Sequence, residues 1–300
     1  MSLPRRVTLV EVSPRDGLQN EQAFVPTGTK IEFIDRLANC GLTVIESASF
    51  VSPKWVPQMA DHTEVMKGIH RQPGVSYTAL VPNVKGMELA LAAGVKEISV
   101  FTATSETFSK KNANCSLAES IQRINGVMAL AREHQIPVRG YISCAIACPY
   151  EGRITVQKTT QVAKQLIDMG CQQISLGDTI GVGTPGEVKN LLDELLLEVP
   201  VNKTAVHFHD TYGQALANIY VSLEYGIHII DSSVAGLGGC PYARSATGNV
   251  ATEDVVYMLN GLQIETGVDL KKLLSAGEFI CRHLGHPPRS KVFDALNRQP

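Results

Sequence analysis

Gly170-Cys-Gln-Gln-Ile174-Ser-Leu176 is one of four stretches built alike. Gly41-Leu-Thr-Val-Ile45-Glu-Ser47, Gly94-Val-Lys-Glu-Ile98-Ser-Val100 and Gly226-Ile-His-Ile-Ile230-Asp-Ser232 also run from a glycine, through three residues, to an isoleucine. A glycine just past a helix accepts the left-handed conformation that ends it, and the apolar run behind it reads as a strand. Between these four lie four more strand candidates, Val7 to Val12, Val75 to Val81, Val138 to Cys144 and Thr204 to His209. The intervening segments carry helix starts: Thr29-x-x-Glu32, Ser116-x-x-Glu119 and Thr184-Pro185-x-Glu187 have the capping-box spacing, the last with proline at the first helical position. After Thr184, Val188, Leu191, Leu192, Leu195 and Leu196 fall on one stripe of a helix.

Eight strands alternating with helices over about 250 residues predict an α/β protein of the (β/α)8 TIM-barrel type. The alternative is an open, doubly wound sheet, but no Gly-x-Gly-x-x-Gly follows the first strand to mark a dinucleotide crevice. Residues 1–300 read as a single catalytic domain, with a barrel core over about 7–262 and a helical extension over about 263–300. In that extension Leu270, Leu273, Leu274, Ile280 and Leu284 suit packing on the outside of the barrel or a subunit contact.

Composition narrows the partners. The 300 residues are 44% hydrophobic with a formal net charge of −2 and no lysine or arginine block, which argues against nucleic acid or a polybasic membrane anchor. No run approaches the length of a membrane span, and Met1 to Arg6 lead into an apolar run without a secretory or transit leader. Seven scattered cysteines fit a reducing compartment, so the expected location is the cytoplasm. Cys144-x-x-x-Cys148 has no second half to complete a zinc knuckle and reads as buried structure.

In a barrel the chemistry gathers on the loops at the carboxyl ends of the strands. Those ends read Ser13-Pro-Arg-Asp-Gly17, Glu46, Gly177-Asp178, His207-Phe-His-Asp210, and Ala235-Gly-Leu-Gly-Gly-Cys240, followed by Gly248-Asn249 and Glu253. On a strand His207 and His209 share one face while Val206 and Phe208 take the other. With Asp16 and Asn249 they offer two nitrogens and two oxygens, a set that suits a divalent cation of the Mg or Mn kind with positions open to substrate. The facial triad of an iron oxygenase is the competing use of two histidines and a carboxylate. Arg15, next to Asp16, places a permanent cation where an enolate oxygen could be held, although a salt bridge to Glu46 is its plainer use. Cys240, among Gly236, Gly238 and Gly239, fits a nucleophile or proton donor; the same glycines fit a phosphate cradle equally well.

Pro14-Arg-Asp-Gly-Leu-Gln-Asn20, Ser49-Phe-Val-Ser-Pro-Lys-Trp-Val-Pro-Gln-Met59, Ser175-Leu-Gly-Asp-Thr-Ile-Gly181, His207-Phe-His-Asp-Thr-Tyr-Gly213 and Gly236-Leu-Gly-Gly-Cys-Pro-Tyr-Ala243 together resemble the 3-hydroxy-3-methylglutaryl-CoA lyases over nearly the whole chain. The cysteine loop separates this resemblance from the wider group of Claisen-type synthases and aldolases on the same barrel. It implies cleavage of 3-hydroxy-3-methylglutaryl-CoA to acetyl-CoA and acetoacetate, a retro-Claisen reaction that uses a divalent cation and no redox cofactor. The implied roles are metal ligation by Asp16, His207, His209 and Asn249, and proton removal by Asp16 with His207. Arg15 would stabilise the enolate, with Glu46 in the catalytic set orienting it, and Cys240 would donate a proton. Glu253 and Asp178 are implied supports of the site, Glu253 by orienting Arg15 and the metal environment. Lys111 and Asn112, after the fourth strand, could meet the phosphates of the acyl-CoA, against the plainer reading of Lys110-Lys111 as a solvated pair. A homodimer is implied, and a lyase for a related 3-hydroxy-acyl-CoA is the nearest alternative.

Overall fold

The computed structural model describes residues 3–239 and 248–297, the last without its side chain. Eight strands, β1 (Thr8–Glu11), β2 (Val44–Ser49), β3 (Ser76–Leu80), β4 (Ile98–Ala103), β5 (Val138–Ser143), β6 (Gln173–Asp178), β7 (Thr204–Phe208) and β8 (Ile229–Ser232), are parallel and close into a barrel in chain order, β1 pairing with both β2 and β8. Helices intervene, and a short hairpin, Ala147–Cys148 with Gly152–Arg153, decorates the loop after β5. The (β/α)8 expectation holds; Val7–Val12, Val75–Val81, Val138–Cys144 and Thr204–His209 match their strands to within a residue at each end, while the strands after Gly41, Gly94, Gly170 and Gly226 begin three or four residues past the glycine.

The repeated glycines sit where the pattern placed them, Gly41, Gly94, Gly170 and Gly226 all having φ between 73° and 106°. Gly41 is also a contact: a Cβ there would lie 2.2 Å from the Gly267 carbonyl oxygen, so this joint admits no larger residue. Ser116 and Glu119 cap each other, and the backbone N–H and hydroxyl of Thr184 both donate to the Glu187 carboxylate. The third expected box does not form. The helix Thr27–Ala38 begins two residues before Thr29, with Pro26 as its cap residue, so Glu32 lies beyond the first turn and pairs with Arg36 one turn on.

Outward-facing strand residues such as Ile45, Ile142, Ile174, Val206 and Ile230 form one continuous core with the helices, including the stripe Val188, Leu191, Leu192 and Leu195. Inside the barrel the apolar part is small: Val10, Val12, Ala205 and Ile229, with Val44 against them. Buried beside it are Glu46, Ser99, Arg139, Tyr141, Ser175 and Asp231. A parallel barrel usually fills this space with branched aliphatics, so a charged interior marks a barrel built around polar work. Beyond the barrel, the helix Leu270–Leu284 packs on the helix Thr27–Ala38 and on the turn Val234–Gly236. The final helix, Lys291–Asn297, packs on the helix Thr252–Gly261.

Candidate active site and metal centre

Where β1 ends, Ser13–Gly17 forms one wide turn with proline near its start. It is pressed against the exit of β8, since a Cβ on Gly17 would lie 2.9 Å from the Ser233 hydroxyl and 3.0 Å from the Leu237 side chain. The fully buried Glu11 joins these two exits, accepting from the Ser13 and Val234 N–H groups at 3.0 and 2.9 Å and from the Thr252 hydroxyl at 2.7 Å. This fixes where Arg15 and Asp16 emerge. The register of β2 against β3 slips between Glu46 and Ala48, a bulge of the kind that re-aims side chains at barrel rims.

Arg15 is buried and forked between two carboxylates, at 2.5 Å from Glu46 and 2.6 Å from Asp16. The Ser99 hydroxyl donates to the other Glu46 oxygen. The salt-bridge reading of Arg15 is therefore met, and the bridge to Glu46 holds the guanidinium beside Asp16. Burial, which disfavours its charge, is outweighed by Glu46 and then Asp16, and Arg15 stays protonated at every working pH. Burial likewise works against the Asp16 carboxylate, but Arg15, followed by His207 and His209, draws it down to about 2.

His207 and His209 point the same way from β7 and its end, ring centroids 5.6 Å apart, while Val206 and Phe208 are buried in the outer core. His207 Nδ1 meets Asp231 Oδ2 at 3.1 Å, and its Nε2 lies 3.8 Å from Asp16 Oδ2. Burial lowers the affinity of His207 for a proton, but its hydrogen bond to Asp231 and the charges of Asp231 and Asp16 raise it above the ordinary value. Burial and then His207 bring His209 down to about 4, so its imidazole is neutral.

Asp16, His207 and His209 each offer a ligand atom within 4.8 Å of the others. His209 Nδ1 is buried with no hydrogen-bond partner, an arrangement that proteins rarely leave unless something else uses the atom. Asn249 is bridged to His209 and donates its amide nitrogen to Asp16 Oδ2 at 2.8 Å and to the Leu237 carbonyl at 3.1 Å, which leaves its own amide oxygen as a further donor to a cation. An ionised carboxylate, a neutral imidazole, a second imidazole and an amide oxygen fit a divalent cation.

Arg15, Asp16, His207 and His209 line a cleft of about 770 Å³ that is also lined by Trp55, Lys111, Asn112, Asn114 and Arg123. The lysine pair divides: Lys110 meets Glu106 on the surface, while Lys111 reaches the cleft with its ammonium 4.0 Å from the centre of the Tyr150 ring. The two expected supports act on the backbone of rim loops. Both oxygens of Glu253 accept from the Ala235 N–H rather than meeting Arg15, holding a left-handed residue at the root of the glycine loop, and burial pushes its carboxyl up to about 8. Asp178 accepts from the Gly183 and Val182 N–H groups at 2.8 and 3.3 Å and shapes the loop after β6; burial, only partly offset by those bonds, raises it to about 6. The same glycine loop is braced from the C-terminal extension, where Arg289 donates to the Gly238 carbonyl at 3.1 Å and its N–H to the Ala235 carbonyl at 2.9 Å. Cys240 lies outside the described residues.

Glu11, Ser99, Arg139, Tyr141, Ser175 and Asp231 belong to no motif of the rim that the sequence alone reveals. Their signal is a polar or charged side chain inside an otherwise apolar strand; Asp231 and Arg139 also stand two residues from the inward-facing Ile229 and Tyr141.

The profile of the HMGL-like family matches residues 6–280. The mitochondrial hydroxymethylglutaryl-CoA lyase of Rattus norvegicus is 62% identical over 98% of this chain and 90% of its own. The crystal structure of hydroxymethylglutaryl-CoA lyase from Pseudomonas aeruginosa superposes with a TM-score of 0.97 at 56% identity, covering 99% of each chain. An HMG-CoA lyase from Acinetobacter baumannii in complex with coenzyme A and 3-methylmalate has a TM-score of 0.94 at 33% identity, over 98% of this chain and 96% of that one. On its sequence and on its whole barrel, the chain belongs to the HMGL-like family, among the hydroxymethylglutaryl-CoA lyases.

Proposed function

We propose that the protein cleaves 3-hydroxy-3-methylglutaryl-CoA to acetyl-CoA and acetoacetate. The observation that carries this is the juxtaposition at one end of the cleft: three ligand atoms within 4.8 Å, with Arg15 fixed beside them by Glu46. Asp16, His207, His209 and Asn249 would hold Mg or Mn. When bound there, such a cation acidifies the tertiary hydroxyl of the substrate. The chain's own residues do the rest. Asp16, with His207 Nε2 3.8 Å from its carboxylate, is placed to take the hydroxyl proton. As the carbon–carbon bond breaks, the electrons collapse onto the acetyl thioester as an enolate, and the Arg15 guanidinium faces the growing charge without reorganising. Cys240 returns a proton to the enolate carbon; this role rests on its place in the glycine loop. Lys111 and Asn112 line the wall where the acyl-CoA chain would run, Lys111 against its phosphates.

We read residues 1–300 as one catalytic domain, with core 7–262 and extension 263–300, working as a homodimer. The six described cysteines are free, as a reducing compartment keeps them, and the cytoplasm is the compartment proposed. Import into an organelle, as the name of the rat relative records for that protein, is what cell fractionation would decide. No helix among the described residues is long and apolar enough to cross a membrane.

The test is acetoacetate release from 3-hydroxy-3-methylglutaryl-CoA by purified protein, stripped with chelator and then restored with Mg or Mn. Turnover that vanishes and returns with the cation supports the assignment; no product with either metal refutes it. In parallel, full activity in Cys240→Ala would return the cysteine to a structural role.

A further inference from the structure

We propose that Asp231 is a positioning residue, pinned inside the barrel by Arg139 and Ser175, that fixes the His207 ring with its proton on Nδ1 and its Nε2 turned to Asp16. The consequence for turnover rests on the lyase reading above, whereas the geometry stands without it.

Asp231 on β8 is the register partner of His207 on β7. Its Oδ1 accepts from Arg139 Nη2 at 2.6 Å, and its Oδ2 accepts from the Ser175 hydroxyl at 2.8 Å and meets His207 Nδ1 at 3.1 Å. An ionised carboxylate accepts and cannot donate, so the hydrogen in the last contact belongs to His207. In the neutral ring Nε2 then carries a lone pair, directed at the side where Asp16 stands 3.8 Å away. The orientation is set by three different strands, because Arg139 lies on β5, Ser175 on β6 and Asp231 on β8. His209 has no such anchor, its Nδ1 being buried and unpartnered. The two arginines of the interior are kept to separate tasks by the Tyr141 ring, whose centre is 5.0 Å from the Arg139 guanidinium and 5.5 Å from that of Arg15. Arg139 balances the charge of Asp231, which is 2% exposed, and lets a carboxylate stay ionised so far from water.

Asp231→Asn discriminates this from a packing role, because its amide has one acceptor where the carboxylate has two. Arg139, the charged donor, takes the amide oxygen, so the NH2 group faces His207 Nδ1 and favours the tautomer protonated on Nε2. The primary reading is the tautomer of His207 in metal-free protein labelled with 15N-histidine, at alkaline pH where imidazoles are neutral, assigned with a His207→Gln control. The wild type is expected as the Nδ1–H form and Asp231→Asn as predominantly Nε2–H. Mn(II) affinity, measured calorimetrically, is expected to fall about 10–100-fold in Asp231→Asn, and kcat to fall while KM is nearly unchanged. Ser175→Ala keeps the carboxylate and is expected to keep the tautomer.

An Asp231→Asn protein that retains the Nδ1–H form and wild-type Mn affinity overturns the proposal. If Asp231→Asn does not fold, Arg139→Gln/Asp231→Asn leaves no unpaired buried charge and is read in the same way. Neither the tautomer nor the Mn affinity measurement uses substrate. A clean tautomer switch in a protein inert toward the acyl-CoA would therefore refute the lyase reading and leave this one standing.

Discussion

The two sides of the cleft are built on opposite terms. On the side of β1 and β2, Arg15, Glu46 and Asn249 are buried and held by short side-chain contacts, Arg15 to Glu46 and Asp16, and Asn249 to Asp16. On the facing wall Trp55 is 75% exposed, and Lys111 and Asn112 sit on the helix Glu106–Ala113 with water access. The difference matches the two jobs of the site. Charge that develops during bond breaking is stabilised by groups already in place, whereas a long, flexible carrier is gripped by side chains that can follow it.

If the contrast is right, damage on the locked side should appear in turnover and damage on the open wall in binding. The largest effect is expected for Arg15→Lys, which keeps the charge but loses the fork between Glu46 and Asp16: kcat should fall about 10²–10³-fold with little change in KM, read from steady-state acetoacetate release. A rise in KM instead would mean that Arg15 grips substrate and that the division of labour fails. Glu46→Gln comes next. It frees Arg15 on one side while preserving its volume, and about a 10–100-fold loss of kcat is expected; rate constants within twofold of wild type would make the Arg15–Asp16 contact sufficient alone.

Asp178 sharpens the comparison at the edge of the locked side. Its folded pKa of about 6 stands above the ordinary 3.8, so it favours the fold while protonated, and that contribution is lost as pH rises from about 4 through 6. The size is about 2–3 kcal/mol. Urea unfolding across that window should show the wild type losing stability relative to Asp178→Asn, whose side chain cannot ionise; parallel pH profiles would mean that the loop after β6 relaxes around the charge. The smallest effect is expected for Lys111→Ala, a rise in KM of about 3–10-fold that shrinks with added salt, as a partly exposed contact to a phosphate should. A loss of kcat in that variant would move the open wall into the chemistry.

How much of this was legible depended on whether the information was local. The four glycine joints announce the strands because a left-handed residue followed by an apolar run is decided within a few residues, and His207 with His209 announces a shared face for the same reason. The rim motifs could be gathered once the barrel was inferred, since closure in chain order brings all strand ends to one side. Asp231 and Arg139 were illegible because their pairing spans the barrel: nothing in Ile229-Ile-Asp231 says which strand carries the counter-charge until register and closure are known. Glu253 was placed at the right rim but given the wrong partner. It follows Asn249 by four residues, yet the start of its helix turns it to the backbone of Ala235.

The helix-to-strand glycines also say where this chain can be broken. They stand at the amino-terminal mouth of the barrel, a full strand length from the rim where the reactive groups meet. A split protein divided at Gly94, Gly170 or Gly226 would carry its new ends on the face opposite the chemistry, each fragment keeping its rim loops whole. Gly41 is the exception, because its backbone is in contact with Gly267 and new charged ends there would pry the C-terminal extension from the barrel. Fragment complementation should therefore succeed at three of these four joints, which makes the mouth, rather than the rim, the seam along which such a barrel can be cut and rejoined.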